Sequence, residues 1–430
     1  MIEGSGFRTK RGVGQGAARL AAVAMLALAT WLLVASSASA IVVHVKGRAL
    51  SYQPLPRTSL VQALPTASKR KPRLEYFGGP IMTSNTNYAL YWEPAGYTPA
   101  YPSGYQGGVS QFFEALAHDS GGVQNTDSVL VQYTNSLNEP AKYASSFAGV
   151  LADTDPYPKS GCEAAPICLT DEQIQAEISK YVEAHKLPMD LAHEYFLLTP
   201  PDVESCFEPE GRSCSAGAEH AEYCAYHGAI NVAGKTIVYS NDPYEPECGT
   251  GNYPSGPGDL ALQSGLVHEH SESVTDPELN AWKAKNGEEI GDLCRTLEPL
   301  SEFGEPLGTA PDGAKYNQVI NGHDYWYQQE WSNEAAGCAQ RAGVAPVVTK
   351  LAPKAGPLGG GTPVIVTGKG FVGTVTVSFG SVAAAKVEVK SSTSLSATSP
   401  AASKGAVNVT VKTSEGTSPV TSKDRFRFKA

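Results

Sequence analysis

All eight cysteines of the chain lie between Cys162 and Cys338, downstream of an N-terminal export signal. An even cysteine count in an exported chain reads as a disulfide framework, so the middle of this protein is expected to be a stapled fold. Short spacing makes Cys162–Cys168 and Cys206–Cys214 natural local loops, which leaves Cys224, Cys248, Cys294 and Cys338 for longer staples. Spacing alone does not choose among those four. No Cys-x-x-Cys pair occurs, which speaks against a cysteine-bound zinc.

The export signal is made of Arg8, Lys10, Arg11 and Arg19, an apolar run from Leu20 to Ala35, and the small-residue site Ala38-Ser39-Ala40. Cleavage is expected after Ala40, so residues 1–40 are a signal peptide. The apolar run is shorter than the roughly 20 residues that a spanning helix needs, and no later segment is apolar enough to cross a bilayer. The mature protein is therefore expected outside the cytoplasm, secreted or associated with the cell surface.

Charge divides the rest. Residues 76–345 carry 38 acidic and 11 basic side chains, a net of −27, whereas residues 346–430 carry 3 acidic and 11 basic, a net of +8. Two domains follow, of which the acidic one excludes nucleic acid and favours cations. The basic one suits an extracellular protein or an anionic cell-envelope polymer. Between signal and acidic domain, residues 41–75 are rich in Pro, Ser, Lys and Arg, as in Lys69-Arg70-Lys71-Pro72-Arg73, and read as a linker or propeptide.

From Leu74 strand and helix signals interleave, which predicts an α+β domain. Strands are expected at Asn87–Trp92, Ser128–Tyr133 and Glu194–Leu198, a helix at Ser110–Ala117, and a hairpin over Ala229–Tyr239 turning at Ala233-Gly234. Thr170 and Gln173 form a capping box that opens a helix with Ile174, Ile178, Tyr181 and Val182 on one face.

A helix capped by Asp259 and stopped by Pro277 carries His268-Glu269-His270-Ser271-Glu272. Residues four apart share a face, so His268 and Glu272 can bind one zinc ion while Glu269 acts as the base on a metal-bound water. Gly265, one turn earlier, leaves room for a close approach. A catalytic zinc usually takes three protein ligands, and the third must come from elsewhere. Glu289 is slightly favoured over Asp292 and Asp276. His270 points away from His268 and reads as a surface or supporting residue, and His193, His220 and His227 read as structural. No Gly-x-Ser-x-Gly elbow supports a serine nucleophile.

Two resemblances add to this. Residues 346–430 resemble an IPT/TIG domain, an immunoglobulin-like β-sandwich, through Gly360-Gly361-Thr362-Pro363-Val364-Ile365-Val366-Thr367-Gly368-Lys369-Gly370-Phe371, Val375–Gly380, Val407–Val411 and Phe426-Arg427-Phe428. That resemblance implies binding or presentation. The acidic domain resembles secreted proteins of the phosphate-induced, Exordium-like family through Phe77-Gly78-Gly79-Pro80-Ile81-Met82, Tyr223-Cys224-Ala225-Tyr226-His227, His268-Glu269, Thr275-Asp276-Pro277, Glu289-Ile290-Gly291-Asp292-Leu293-Cys294 and Glu330-Trp331-Ser332-Asn333. The family's plant members are associated with the extracellular matrix, which implies a wall- or glycan-interacting protein, while its His-Glu members look like zincin-type zinc metallopeptidases. This chain has Glu272 where such a peptidase has a second His.

Overall fold

Runs of consecutive buried residues along four central strands let one sheet bury both of its faces. The computed structural model describes residues 42–56, 72–297, 302–342, 346–371, 375–391, 393–413 and 416–430. Residues 1–41, where the signal peptide is expected, and residues 57–71 lie outside them. The principal elements of the acidic domain are β1 (Val42–Val45), β2 (Arg48–Pro54), β3 (Asn85–Trp92), α1 (Tyr105–His118), β4 (Ser145–Asp153), α2 (Asp171–Ala184), β5 (His193–Thr199), β6 (Ala221–Val232), β7 (Lys235–Pro243), α3 (Val267–Thr275) and α4 (Asp292–Leu297).

The sheet runs β4-β3-β5-β7-β6 and continues into three short strands. β4, β3, β5 and β7 pair in parallel, and β6 lies antiparallel to β7. Leu90, Trp92, Tyr195, Leu197, Tyr226 and Tyr239 pack on one face against Ile174, Ile178 and Val182 of α2. Ala89, Tyr91, Phe196 and Leu198 point the other way, to Phe112 and Phe113 of α1 and to Leu262, Leu266 and Val267. Burying each such side chain contributes about 1.5–3 kcal/mol, so both faces hold the sheet. The domain is β-rich, with a few helices and four disulfides.

Local signals are met where local chemistry decides. The Thr170–Gln173 capping box opens α2, and β6 turns into β7 through Ala233 and Gly234, both at positive φ (51° and 82°). The disulfides are Cys162–Cys168, Cys206–Cys214, Cys224–Cys248 and Cys294–Cys338.

Two expectations are corrected. Ser128–Tyr133 is not a strand: Asp127–Leu130 forms one helical turn, because Ser128 N–H and Val129 N–H reach back to the carbonyls of Asn125 and Thr126. The helix before Pro277 is broken. Asp259–Ala261 and a wide turn at Leu262–Leu266 precede α3, and Gly265 stands at φ 156° where a Cβ would lie 2.1 Å from Ala225 Cβ. Close approach of β6 therefore breaks the helix, and only glycine permits it. Residues 42–54, inside the stretch read as linker or propeptide, form a β1–β2 hairpin whose second strand pairs antiparallel with β6.

The C-terminal region is a β-sandwich of a four-stranded sheet facing a six-stranded one. Val364, Val366, Phe379, Val409, Val411, Phe426 and Phe428 fill its core. No helix among the described residues is long and apolar enough to cross a membrane.

Candidate metal centre

α3 is buried along its whole length, with His268, Glu269, His270 and Glu272 all fully enclosed. A surface position for His270 is thereby corrected: its Nδ1 lies 3.0 Å from Glu194 Oε2 and its Nε2 3.4 Å from Asp127 Oδ2. That arrangement is an ion triad beneath the helix. Burial pushes the His270 imidazole down, but Asp127 and Glu194 outweigh it and hold its pKa up at about 10.

On the other side of the helix three ligand atoms converge. His268 Nε2 is 3.1 Å from Glu272 Oε1 and 3.4 Å from Asp292 Oδ1. Neither His268 Nε2 nor Asp292 Oδ1 makes a hydrogen bond, though both are buried. Their other atoms are taken: Asp292 Oδ2 accepts from Glu289 N–H (2.8 Å), and His268 Nδ1 lies 3.1 Å from Gln328 Oε1. Gln328 Nε2 donates to Glu330 Oε1 (3.2 Å), which turns its amide oxygen toward the imidazole. His268 Nδ1 thus faces the Gln328 amide oxygen while Nε2 faces the two carboxylates, where it holds a proton in the metal-free protein and would become a metal ligand once that proton leaves.

The electrostatics agree. Burial raises Asp292 to about 7, with Glu272 adding to the rise and His268 opposing it. Burial also raises Glu289 well above the usual carboxylate range, reinforced by Glu272 and Asp276. Burial opposes charge on His268 as well, but Glu272 and Glu269 hold its pKa well above the ordinary imidazole value. Glu272, Glu289 and Asp292 gather about His268, a cluster whose repulsion a divalent cation would relieve, and the one-nitrogen, two-oxygen donor set of His268, Glu272 and Asp292 would suit zinc.

Of the sequence candidates, then, His268, Glu272 and Asp292 come together with ligand atoms within 4.8 Å of one another. Glu289 lies alongside, buried, with neither oxygen hydrogen-bonded. Asp276 serves the chain turn after α3, where its Oδ1 accepts from Asn280 N–H and Ala281 N–H, both at 2.5 Å. Glu269 Oε2 is 3.0 Å from His227 Nδ1, and its Oε1 accepts from Gln53 N–H at 3.1 Å. Burial raises Glu269, against the pull of His268 and His227.

His227, Gln328, Ser51 and Gln53 went unread as site residues. His227 was read as structural, and the others carried no signal. Three further triples meet the same spacing: Cys162, Cys168 and Cys206, whose sulfurs are disulfide-bonded, the partly exposed Asp153, Asp155 and Glu177, and the buried His227, Glu269 and Glu272, which shares Glu272 with the His268 triple.

The IPT/TIG domain family matches residues 346–428, so the C-terminal region is an IPT/TIG domain. No curated protein matches the chain. Among solved structures, similarity extends to the extracellular region of plexin A4, at 18% identity over 26% of this chain and 11% of that one, TM-score 0.20. A second is SGBP-B from a xyloglucan utilization locus of Bacteroides uniformis, at 19% identity over 25% and 28%, TM-score 0.18. A third is an auxiliary nutrient binding protein of Bacteroides thetaiotaomicron, at 21% identity over 20% and 22%, TM-score 0.17. The chain thus spans less than a third of each.

Proposed function

We propose that the acidic domain is a secreted zinc-dependent hydrolase of metallopeptidase type, with His268, Glu272 and Asp292 as metal ligands and Glu269 as general base. One observation carries the reading: Nε2 of His268, whose ring Gln328 orients through Nδ1, faces two carboxylate oxygens in a buried site. Bound zinc would supply Lewis acidity toward a substrate carbonyl and a water acidified to near neutrality. Glu269 is one residue from the first ligand, and its raised pKa suits a group that takes a proton and returns it to a leaving amine. His227 orients that carboxylate. The zincin-like resemblance of His268-Glu269-x-x-Glu272 points the same way, and Asp292 takes the third place that motif analogy had given marginally to Glu289.

Elemental analysis of purified residues 41–430 tests the reading, beside a His268→Ala/Glu272→Ala double variant and Glu269→Gln. About one zinc per chain, lost in a folded double variant and kept in Glu269→Gln without hydrolysis, is the expected result. No zinc in the reconstituted parent protein would sink it.

The IPT/TIG domain favours a second role, in which its net +8 charge holds the protein to an extracellular protein or anionic envelope polymer. Binding of this kind needs no metal, and a matrix-associated protein of Exordium-like type without catalysis is the alternative reading of the whole chain. Pull-down of the full chain on cell-envelope material, with and without chelator, separates the two: chelator-indifferent binding without hydrolysis favours the alternative.

A further inference from the structure

β2 occupies the approach to the proposed catalytic carboxylate. It pairs antiparallel with β6, setting Ser51 opposite His227, Tyr52 opposite Tyr226 and Gln53 opposite Ala225. Toward α3, Gln53 N–H donates to Glu269 Oε1 (3.1 Å) and Ser51 Oγ donates to Glu272 Oε2 (3.2 Å). Ser51 and Gln53 are themselves buried, as are all the metal-centre residues beneath them. The oxygen that would accept a proton from a metal-bound water is thus already held by a backbone amide of the chain's own N-terminal segment.

The other face of the same strand ends in a built side-chain pocket. Asp171 is fully buried and accepts from Tyr239 OH (2.6 Å), Tyr226 OH (3.2 Å) and Gln175 Nε2 (2.8 Å). Arg48 fills the mouth: Nη2 is 3.8 Å from Asp171 Oδ2, Nη1 donates to Gln175 Oε1, and the side chain keeps 34% of its surface exposed. A strand that only had to be anchored gains nothing from a buried acid, since an apolar side chain there would hold it as well without the desolvation cost. A recognition pocket for a cationic side chain does need one.

We propose that the hairpin of residues 42–54 is a built-in inhibitor of the His268 site, and that Asp171 is the floor of a pocket by which this strand position selects a basic side chain, filled in cis by Arg48. What is inhibited rests on the hydrolase reading above; the exchange of one strand for another does not. A ligand of this position is an extended polypeptide with Arg or Lys three residues before the one opposite His227, added to the sheet as an antiparallel strand.

The test inserts a recognition sequence for a site-specific protease between Pro56 and Pro72 of the full chain, which is folded, cut and dialysed. Fluorescence anisotropy then reads binding of a labelled peptide of sequence Val45–Leu55 and of its Arg48→Ala counterpart, and zinc content is measured on the same samples. Expected is no binding before cutting, saturable binding after it, affinity about tenfold weaker for the Arg48→Ala peptide, and loss of that discrimination in an Asp171→Asn protein. A cut protein that keeps its near-ultraviolet circular dichroism yet takes up no peptide overturns the inference. So does one that unfolds on cutting, since the hairpin is then a structural strand, and equal affinity for both peptides overturns the Asp171 pocket. Absence of zinc from every sample removes the hydrolase reading and leaves the strand exchange to be decided by anisotropy alone.

Discussion

Gly291 lies against His268 so closely that a Cβ built on it would stand 2.5 Å from His268 Nδ1 and 2.9 Å from Gln328 Nε2. The missing side chain is what lets the Gln328 amide meet the imidazole and orient its ring. Gly291→Ala is therefore expected to break that contact, costing about 1–3 kcal/mol in stability through overpacking and about 10–100-fold in metal affinity. Thermal melts and zinc titration against a competing chelator measure the two. Unchanged affinity in a folded variant would remove Gln328 from its supporting role.

The choice of third ligand is equally open to measurement. Asp292 Oδ1 faces His268 Nε2 at 3.4 Å, whereas Glu289 stands beside the triad with its backbone N–H on Asp292 Oδ2. Asp292→Asn should lose zinc, by about 100-fold or more in affinity. Glu289→Gln should keep it, and should be more stable apo, because a buried carboxyl whose neighbours disfavour its charge becomes neutral. The reverse pattern in parallel titrations would assign Glu289 as the ligand.

What the sequence disclosed of this site follows the range of the interactions. His268 and Glu272 were legible because one helical turn joins them, and Asp292 only as one of three acids downstream, since it meets them through a fold-back of the chain some 20 residues beyond Glu272. His227 was passed over because β6 register, not chain proximity, puts it on Glu269. The β1–β2 hairpin was hidden for the same reason: its partner strand is some 170 residues away (Tyr52 opposite Tyr226), and Pro54 and Pro56 made the stretch read as irregular. In the C-terminal domain the alternation of Val364 and Val366, and of Val409 and Val411, was sufficient, because a sandwich declares its core by period two. Ser128–Tyr133 mimicked that period, but its buried residues Val129, Leu130 and Tyr133 follow a helical turn instead.

Cys294 begins on α4, two residues after Asp292, and its disulfide to Cys338 closes a separation of 44 residues. By loop-closure entropy such a bond contributes about 4 kcal/mol. A Cys294→Ser/Cys338→Ser double variant is expected to lose roughly that much unfolding free energy and to bind zinc more weakly, as Asp292 loses its tether. Denaturant unfolding under oxidising and reducing conditions checks this. A variant matching the parent protein in both properties would show that packing around Trp331 holds Asp292 by itself.

Asp259 offers a pH test away from the metal ligands. Its Oδ2 accepts from Ser255 N–H (2.8 Å) at the start of the segment leading into α3. Burial raises its pKa to about 7, with Asp312 adding slightly and the Ser255 amide opposing. The folded value lies above the unfolded value of about 3.9. Between pH 4 and 7 the native state thus holds a proton that the unfolded chain has lost, and stability falls as pH rises through that window. Asp259→Asn keeps an acceptor for Ser255 and removes the charge. It should match the parent protein near pH 4 and exceed it at pH 8 by on the order of 1–3 kcal/mol, read from urea midpoints across the range. Parallel pH profiles for the two proteins would mean that Asp259 ionises normally in the folded state, with water reaching the start of this helical segment.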